Sequence, residues 1–306
     1  MKRPTYLIRN INLFLILVLL SFSNYGWAQK TLRVFIIGNS FSGNATAYLP
    51  DIAKEKGKEL IIGRAELGGC SLQRHWEYVE AAEANPKDSL GKPYKGKSLR
   101  MLLSEGTWDI VTIQQFSLHS SDSGTYTPYA EKLYAYVKSI QPSAEIVLHQ
   151  TWAYREDAKK FGQVAPGQFA KSSEEMWQKS RAAYHAVASK LHVRIIPVGD
   201  AFRLATTHPK YGYHADTTFD FKSPVYPGLP RQDYSLNAGY SWNKSKELAF
   251  DANHANAAGK YLGAIIWYAF LFKESPKSIQ FIPEGLSKDF AAHLKNVAEA
   301  SISNTR

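Results

Sequence analysis

Ser40, Asp251 and His254 are the residues of this sequence whose types and settings best suit a reaction. Ser40 lies in the stretch Thr31 to Leu49, TLRVFIIGNSFSGNATAYL, where an apolar β-branched run stops at Gly38-Asn39-Ser40 and a helical segment begins. A serine at that junction sits at the carboxyl edge of a parallel sheet, where open α/β folds bind ligands. The unpaired N–H groups of a helix start favour negative charge. Its hydroxyl can then serve as a nucleophile with an oxyanion site built into its own backbone. The same place also suits a plain helix cap, which Ser40 or Ser42 would fill without chemistry. More than two hundred residues downstream, Phe250-Asp251-Ala252-Asn253-His254 precedes the helical run Ala255 to Phe272. An Asp three residues before a His can hold one imidazole nitrogen while the other faces the cleft, which is triad geometry. Asp200, in Gly199-Asp200-Ala201, is a rival orienting carboxylate or a cap. His75 and His149 are the other histidines placed to line a cleft, and both suit structural roles.

These residues need a scaffold, and the apolar patterning supplies one. Strands are expected at Leu32 to Ile37, Leu60 to Leu67, Asp109 to Ile113, Glu145 to Gln150 and Val193 to Val198. Helices are expected at Ala45 to Lys56, Ser71 to about Glu83, Tyr126 to Ile140 (ending before Pro142) and Phe169 to Leu191. The alternation predicts an α/β fold, a three-layer α/β/α sandwich around a parallel five-stranded sheet with right-handed crossovers. Two segments break the alternation at the active edge, residues 151–168 and 206–250, and long insertions of this kind are usually binding loops or lids. Trp152 and Tyr154 are the expected substrate-binding residues of the first; Tyr211, Tyr213, Tyr226, Tyr240 and Trp242 in the second suit either stacking on sugar rings or packing of the loops.

Gly38-Asn39-Ser40 near the start and Asp251-x-x-His254 near the end together resemble the first and last blocks of the SGNH/GDSL hydrolase superfamily. Gly68-Gly69-Cys70-Ser71-Leu72 looks like its glycine block, and Trp108 to Ser117, WDIVTIQQFS, lies where its third block should fall. The family's Gly-x-Asn-Asp is missing there. The strings GNSF, GGxSL and WD-strand-QQxS look like a bacterial secreted SGNH-like subfamily. The resemblance spans most of residues 31–272. It implies a flavodoxin-like sheet, Ser40 as nucleophile, His254 as base and Asp251 as its orienter. It also implies an oxyanion hole from the backbone N–H groups of Ser40 and Gly69 plus one side-chain donor. Gln114 is the favoured stand-in for the family's Asn, with Gln115 and Ser117 as alternatives.

Residues 1–28 read as a secretory signal peptide: Lys2, Arg3 and Arg9 form a basic start, Ile11 to Phe22 an apolar run, and Gly26-Trp27-Ala28 the small-residue cleavage site. The run is too short for a comfortable membrane span. Residues 29–306 then form a single hydrolase domain, periplasmic or extracellular, without a stable membrane anchor. Cleavage lowers the formal charge from +10 to +7. The surplus Lys and Arg are scattered, which argues against a nucleic-acid partner. The one cysteine, Cys70, excludes an internal disulfide and reads as a packing residue. No Cys/His cluster has metal-ligand spacing, and no metal or cofactor is expected. The expected activity is removal of acyl groups, acetyl above all, from carbohydrate, with a small-molecule or glycan ester as substrate. A lipid-ester hydrolase or thioesterase on the same residues, and a non-catalytic glycan-binding protein, are the alternatives.

Overall fold

A computed structural model describes residues 31–303; the expected signal peptide lies outside the described residues. β1 (Leu32–Gly38) is followed by two short helices, α1 (Ser40–Ala45) and α2 (Leu49–Glu55). β2 (Leu60–Glu66), α3 (Leu72–Ala84), α4 (Leu99–Leu103), β3 (Ile110–Ile113), α5 (Tyr129–Ile140) and β4 (Glu145–His149) come next. β5 (Gln163–Ala165) and β6 (Gln168–Phe169) form a small hairpin before α6 (Ser173–Leu191), β7 (Arg194–Ile196) and α7 (Val198–Thr206). The hairpin β8 (Asn237–Trp242) and β9 (Leu248–Ala255) leads into α8 (Ala257–Phe272), and α9 (Lys288–Ser303) closes the described chain.

The central sheet runs β2-β1-β3-β4-β7 with every pairing parallel, so the fold is the expected α/β sandwich. Alternation along the strands makes the layers. Val34, Ile36, Ile110, Val147 and Ile196 point into one core with α1, α2, α7, α8 and α9. Phe35, Ile37, Val111, Ile113, Ile146 and Leu148 point into the other with α3, α5 and α6. Both faces of β1 are therefore covered, as a parallel sheet requires. α8 is buried almost all round from Tyr261 to Leu271, which fits its near-continuous apolar sequence.

Two expectations need correction, and one element was unforeseen. The single helix from Ala45 to Lys56 is two helices, because Pro50 lies in the first turn of α2, a place a proline tolerates and a helix interior does not. The 206–250 stretch is not loop throughout. Tyr240 pairs with Phe250 and Trp242 with Leu248 across an antiparallel ladder, so Asp251 belongs to a strand rather than to a helix-entry loop. The ladder is irregular between Asn237 and Gly239, and the turn holding Asn253 and His254 bulges there. α9 was also unforeseen, although Phe290, Leu294, Val297 and Ala298 recur at helical spacing and pack into the α8 layer.

Candidate active site

β1 delivers Ser40 to the sheet edge. Asn39 is in extended conformation and caps α1, its side-chain oxygen accepting from Phe41 N–H at 3.1 Å. Gly38 must lack a side chain, since a Cβ would fall 2.5 Å from Ser42 Oγ and 2.8 Å from Gln114 Oε1. Ser40 Oγ then lies 2.9 Å from His254 Nε2, and His254 Nδ1 lies 2.8 Å from Asp251 Oδ2. The other oxygen of Asp251 accepts from the backbone N–H groups of Asn253 (3.1 Å) and His254 (3.0 Å). A carboxylate accepts only, so Nδ1 carries the imidazole proton and Nε2 is free to accept from the serine hydroxyl. Burial opposes ionisation of Asp251, but the bonds from His254 and Asn253 outweigh it and hold the carboxyl below its usual range. The His254 and Asp251 side chains are 40% and 42% exposed, so the site is open.

The turn bearing His254 is clamped from several sides. Trp152 Nε1 donates to Asn253 O at 2.8 Å; Arg155 N–H and Asn237 Nδ2 each donate to Ala252 O at 2.9 Å. Ala255 N–H donates to Asn44 Oδ1 at 2.8 Å, tying the turn to α1, the helix that begins at Ser40. Trp152 corrects the expectation that it binds substrate: it is 1% exposed, stacked between Phe41 and Phe202 at 4.2 and 4.5 Å, and its role is to position the turn. Tyr154 is half-buried, with its hydroxyl 3.1 Å from Ser117 Oγ. Burial and the charge of Asp251 raise its phenol, against the Ser117 bond, so it remains a protonated donor.

The third block departs further from expectation. Gln114 is buried and donates both amide hydrogens, to Asn39 Oδ1 (2.9 Å) and Gln115 O (2.8 Å). Its carbonyl accepts from Ser42 Oγ and the N–H groups of Ser42 and Asn39. No amide hydrogen of Gln114 is left for an oxyanion. Gln115 is spent likewise, donating to Thr125 and accepting from Leu72 and Phe116 N–H groups. The longer glutamine stem folds back beneath the Gly38–Ser42 turn and braces it. By contrast, the N–H groups of Ser40 and Gly69 have no partner among the described residues. Gly69 holds a left-handed φ of 62°, a backbone conformation that favours glycine.

The other candidates are structural. His75 bridges Tyr94 OH (2.6 Å) and Gly38 O (3.1 Å), and burial lowers its pKa to about 4. His149 meets Ser42 Oγ at 3.2 Å, and burial lowers it to about 3. Asp200 accepts from Gln150, Trp177 and Arg181 and makes no bond to His254. Cys70 is buried, and burial pushes its thiol up to about 12, far from a thiolate. Asn44 and Asn237 are the site-building residues that sequence reasoning passed over, and Asn39, named only within its block, caps α1 in place of Ser40 or Ser42.

Fold and site together define an α/β sandwich with a serine, a histidine and an aspartate aligned at its carboxyl edge. The sequence profile described as "Domain of unknown function (DUF4886)" matches residues 33–219, and the chain belongs to that family. Among solved structures, a DUF4886 family protein from Bacteroides uniformis ATCC 8492 is similar at 22% identity and a TM-score of 0.69, over 90% of this chain and 95% of that one. A protein from Slackia heliotrinireducens described as a candidate SGNH hydrolase is similar at 20% identity and a TM-score of 0.48, over 79% of this chain and 100% of that one. Phospholipase A1 from Streptomyces albidoflavus NA297 is similar at 12% identity and a TM-score of 0.40, over 78% and 99%. No curated protein matches.

Proposed function

We propose that this protein is an exported serine esterase of the SGNH/GDSL type that removes small acyl groups, acetyl above all, from carbohydrate. The carrying observation is the unbroken line from Ser40 Oγ through the His254 ring to Asp251, at 2.9 and 2.8 Å. Ser40 Oγ attacks the acyl carbon while His254 Nε2 takes its proton; the bond to the sugar oxygen breaks as that proton passes to the leaving alcohol. Water then attacks the acyl-serine, giving a proton to His254, and the acid leaves as Ser40 recovers its hydrogen. Asp251 stabilises the charged imidazole, and the Ser40 and Gly69 N–H groups are free to hold the oxyanion. The exposure of His254 and Asp251 supports a substrate presented on a large molecule rather than an acyl chain sunk in a tunnel. The basic, apolar and small-residue series in residues 1–28 supports export.

Hydrolysis of 4-nitrophenyl acetate against 4-nitrophenyl palmitate, with Ser40→Ala as control, tests this directly. Acetate turnover lost in Ser40→Ala is expected, followed by acetate release from an acetylated glycan. Preference for palmitate would move the reading to a lipid ester, and inertness toward both would leave the glycan-binding alternative.

A further inference from the structure

Where the two insertions meet the β8–β9 hairpin they enclose a groove of about 440 Å³, within the size range of small-ligand sites. Tyr240 and Phe250 are paired across the ladder and stacked at 4.2 Å, and Trp242 and Leu248, the next pair, continue the same face. Phe221 packs on Tyr240 at 5.0 Å from the facing loop and is 44% exposed. The floor is rigid for a reason found beneath it. The Arg155 guanidinium lies 5.3 Å from the Tyr240 ring and 4.9 Å from that of Phe250. Asp157 locks it through two bonds of 2.7 and 2.8 Å. Such a cation held under aromatic faces fixes them in place.

Two exposed cations stand in the groove lining, Lys159 from the first insertion and Lys246 from the hairpin turn, and neither is in an ion pair among the described residues. The one carboxylate of the lining, Glu247, accepts from Asn243 Nδ2 at 2.9 Å. Flat aromatic faces suit the C–H faces of pyranose rings, and the ammonium groups of Lys159 and Lys246, the latter over the Tyr226 ring at 5.1 Å, suit carboxylates on them. We propose that this groove is a subsite for an anionic glycan, one bearing uronic acid units. The groove is concave and its Trp242 N–H is already satisfied by Gly228 O at 3.1 Å, which favours a discrete chain over insertion of a loop tip into a lipid surface. Phe250 is four residues from His254, so by chain reach their Cα atoms are at most about 14 Å apart, close enough for one glycan chain to reach both.

The assignment rests on the esterase reading only for what happens to the bound glycan; binding does not require Ser40. The test is therefore made in the exported chain carrying Ser40→Ala, by calorimetric titration with tri-galacturonate and with uncharged cellotriose. Tri-galacturonate should bind and weaken with added salt, and cellotriose should bind at least tenfold less tightly. Lys159→Gln with Lys246→Gln, both at exposed positions, should weaken tri-galacturonate about tenfold, and Trp242→Ala should weaken both sugars. The charge-matched pair Lys54→Gln with Lys87→Gln should change nothing. Equal binding of cellotriose, no binding of tri-galacturonate, or an equal loss in the Lys54/Lys87 pair would overturn the proposal. So would tight binding to phosphatidylglycerol vesicles that tri-galacturonate fails to compete away. An inactive wild-type esterase assay with intact tri-galacturonate binding would sink the catalytic reading and leave the groove standing.

Discussion

Replacing Asp251 by Asn changes one atom and reverses one hydrogen bond. Asp251 Oδ1 accepts two backbone N–H groups at 3.1 and 3.0 Å, and an asparagine carbonyl can keep both. Its NH2 is then left facing His254 Nδ1, 2.8 Å away, where a proton already sits. The imidazole must shift its proton to Nε2, and Nε2 can no longer accept from Ser40. A buried aspartate of this kind is worth about 10⁴ in turnover. Asp251 is 42% exposed, so water competes for the orienting role. The expected loss in kcat/KM is therefore about 10³-fold, or about 4 kcal/mol of transition-state stabilisation. The assay is steady-state 4-nitrophenyl acetate hydrolysis, alongside thermal melting to show that the turn survives. Activity within about threefold of wild type in a protein that melts normally would refute the reasoning and reduce the site to a Ser–His dyad. Asp200→Asn is the contrasting case: it touches Gln150, Trp177 and Arg181, and its turnover should stay near wild type.

A fluorophosphonate probe should label Ser40, and His254→Ala should suppress labelling; labelling unchanged in Ser40→Ala would show that the wrong serine has been chosen. Trp152→Phe keeps most of the stack but leaves Asn253 O without its donor, so stability should fall by about 1–3 kcal/mol and kcat should fall with little change in KM. A rise in KM alone would return Trp152 to substrate contact. His75 and His149 are neutral in the fold, with pKa values lowered to about 4 and about 3, whereas unfolded imidazoles charge near 6.5. Their contribution is thus complete above pH 6.5 and lost as pH falls toward 4, about 3 kcal/mol for His75 alone; a urea midpoint that does not move over that range would contradict it. Mass spectrometry of the exported protein should find Gln29 or a neighbour at its N-terminus, and an intact Met1 would remove the export claim.

The inner strands could be read from sequence because β1, β3 and β4 are short apolar runs largely buried on both faces, as in Val34 to Ile37. The place of Ser40 followed from the same run, since Gly38 ends it. What escaped was direction. Gln114 has the right chemistry for an oxyanion donor, but only coordinates reveal that its extra methylene turns the amide under Ser42. Trp152 likewise looks like a sugar platform until its indole is found against a carbonyl 101 residues away. The β8 ladder was hidden because prolines and glycines surround it, while its pairing partner lies beyond the Asn243 turn.

Ser40 and His254 are 214 positions apart in the sequence, and the Asn44 side chain on the serine's helix accepts from Ala255 N–H beside the histidine. During synthesis Ser40 emerges well before His254. A nascent, stalled or truncated chain that stops short of β9 therefore carries Ser40 without the His254 imidazole that would take its proton. On the proposed esterase reading, the Ser40 hydroxyl gains its proton acceptor only once β9 has been made and paired, which holds back its chemistry until then.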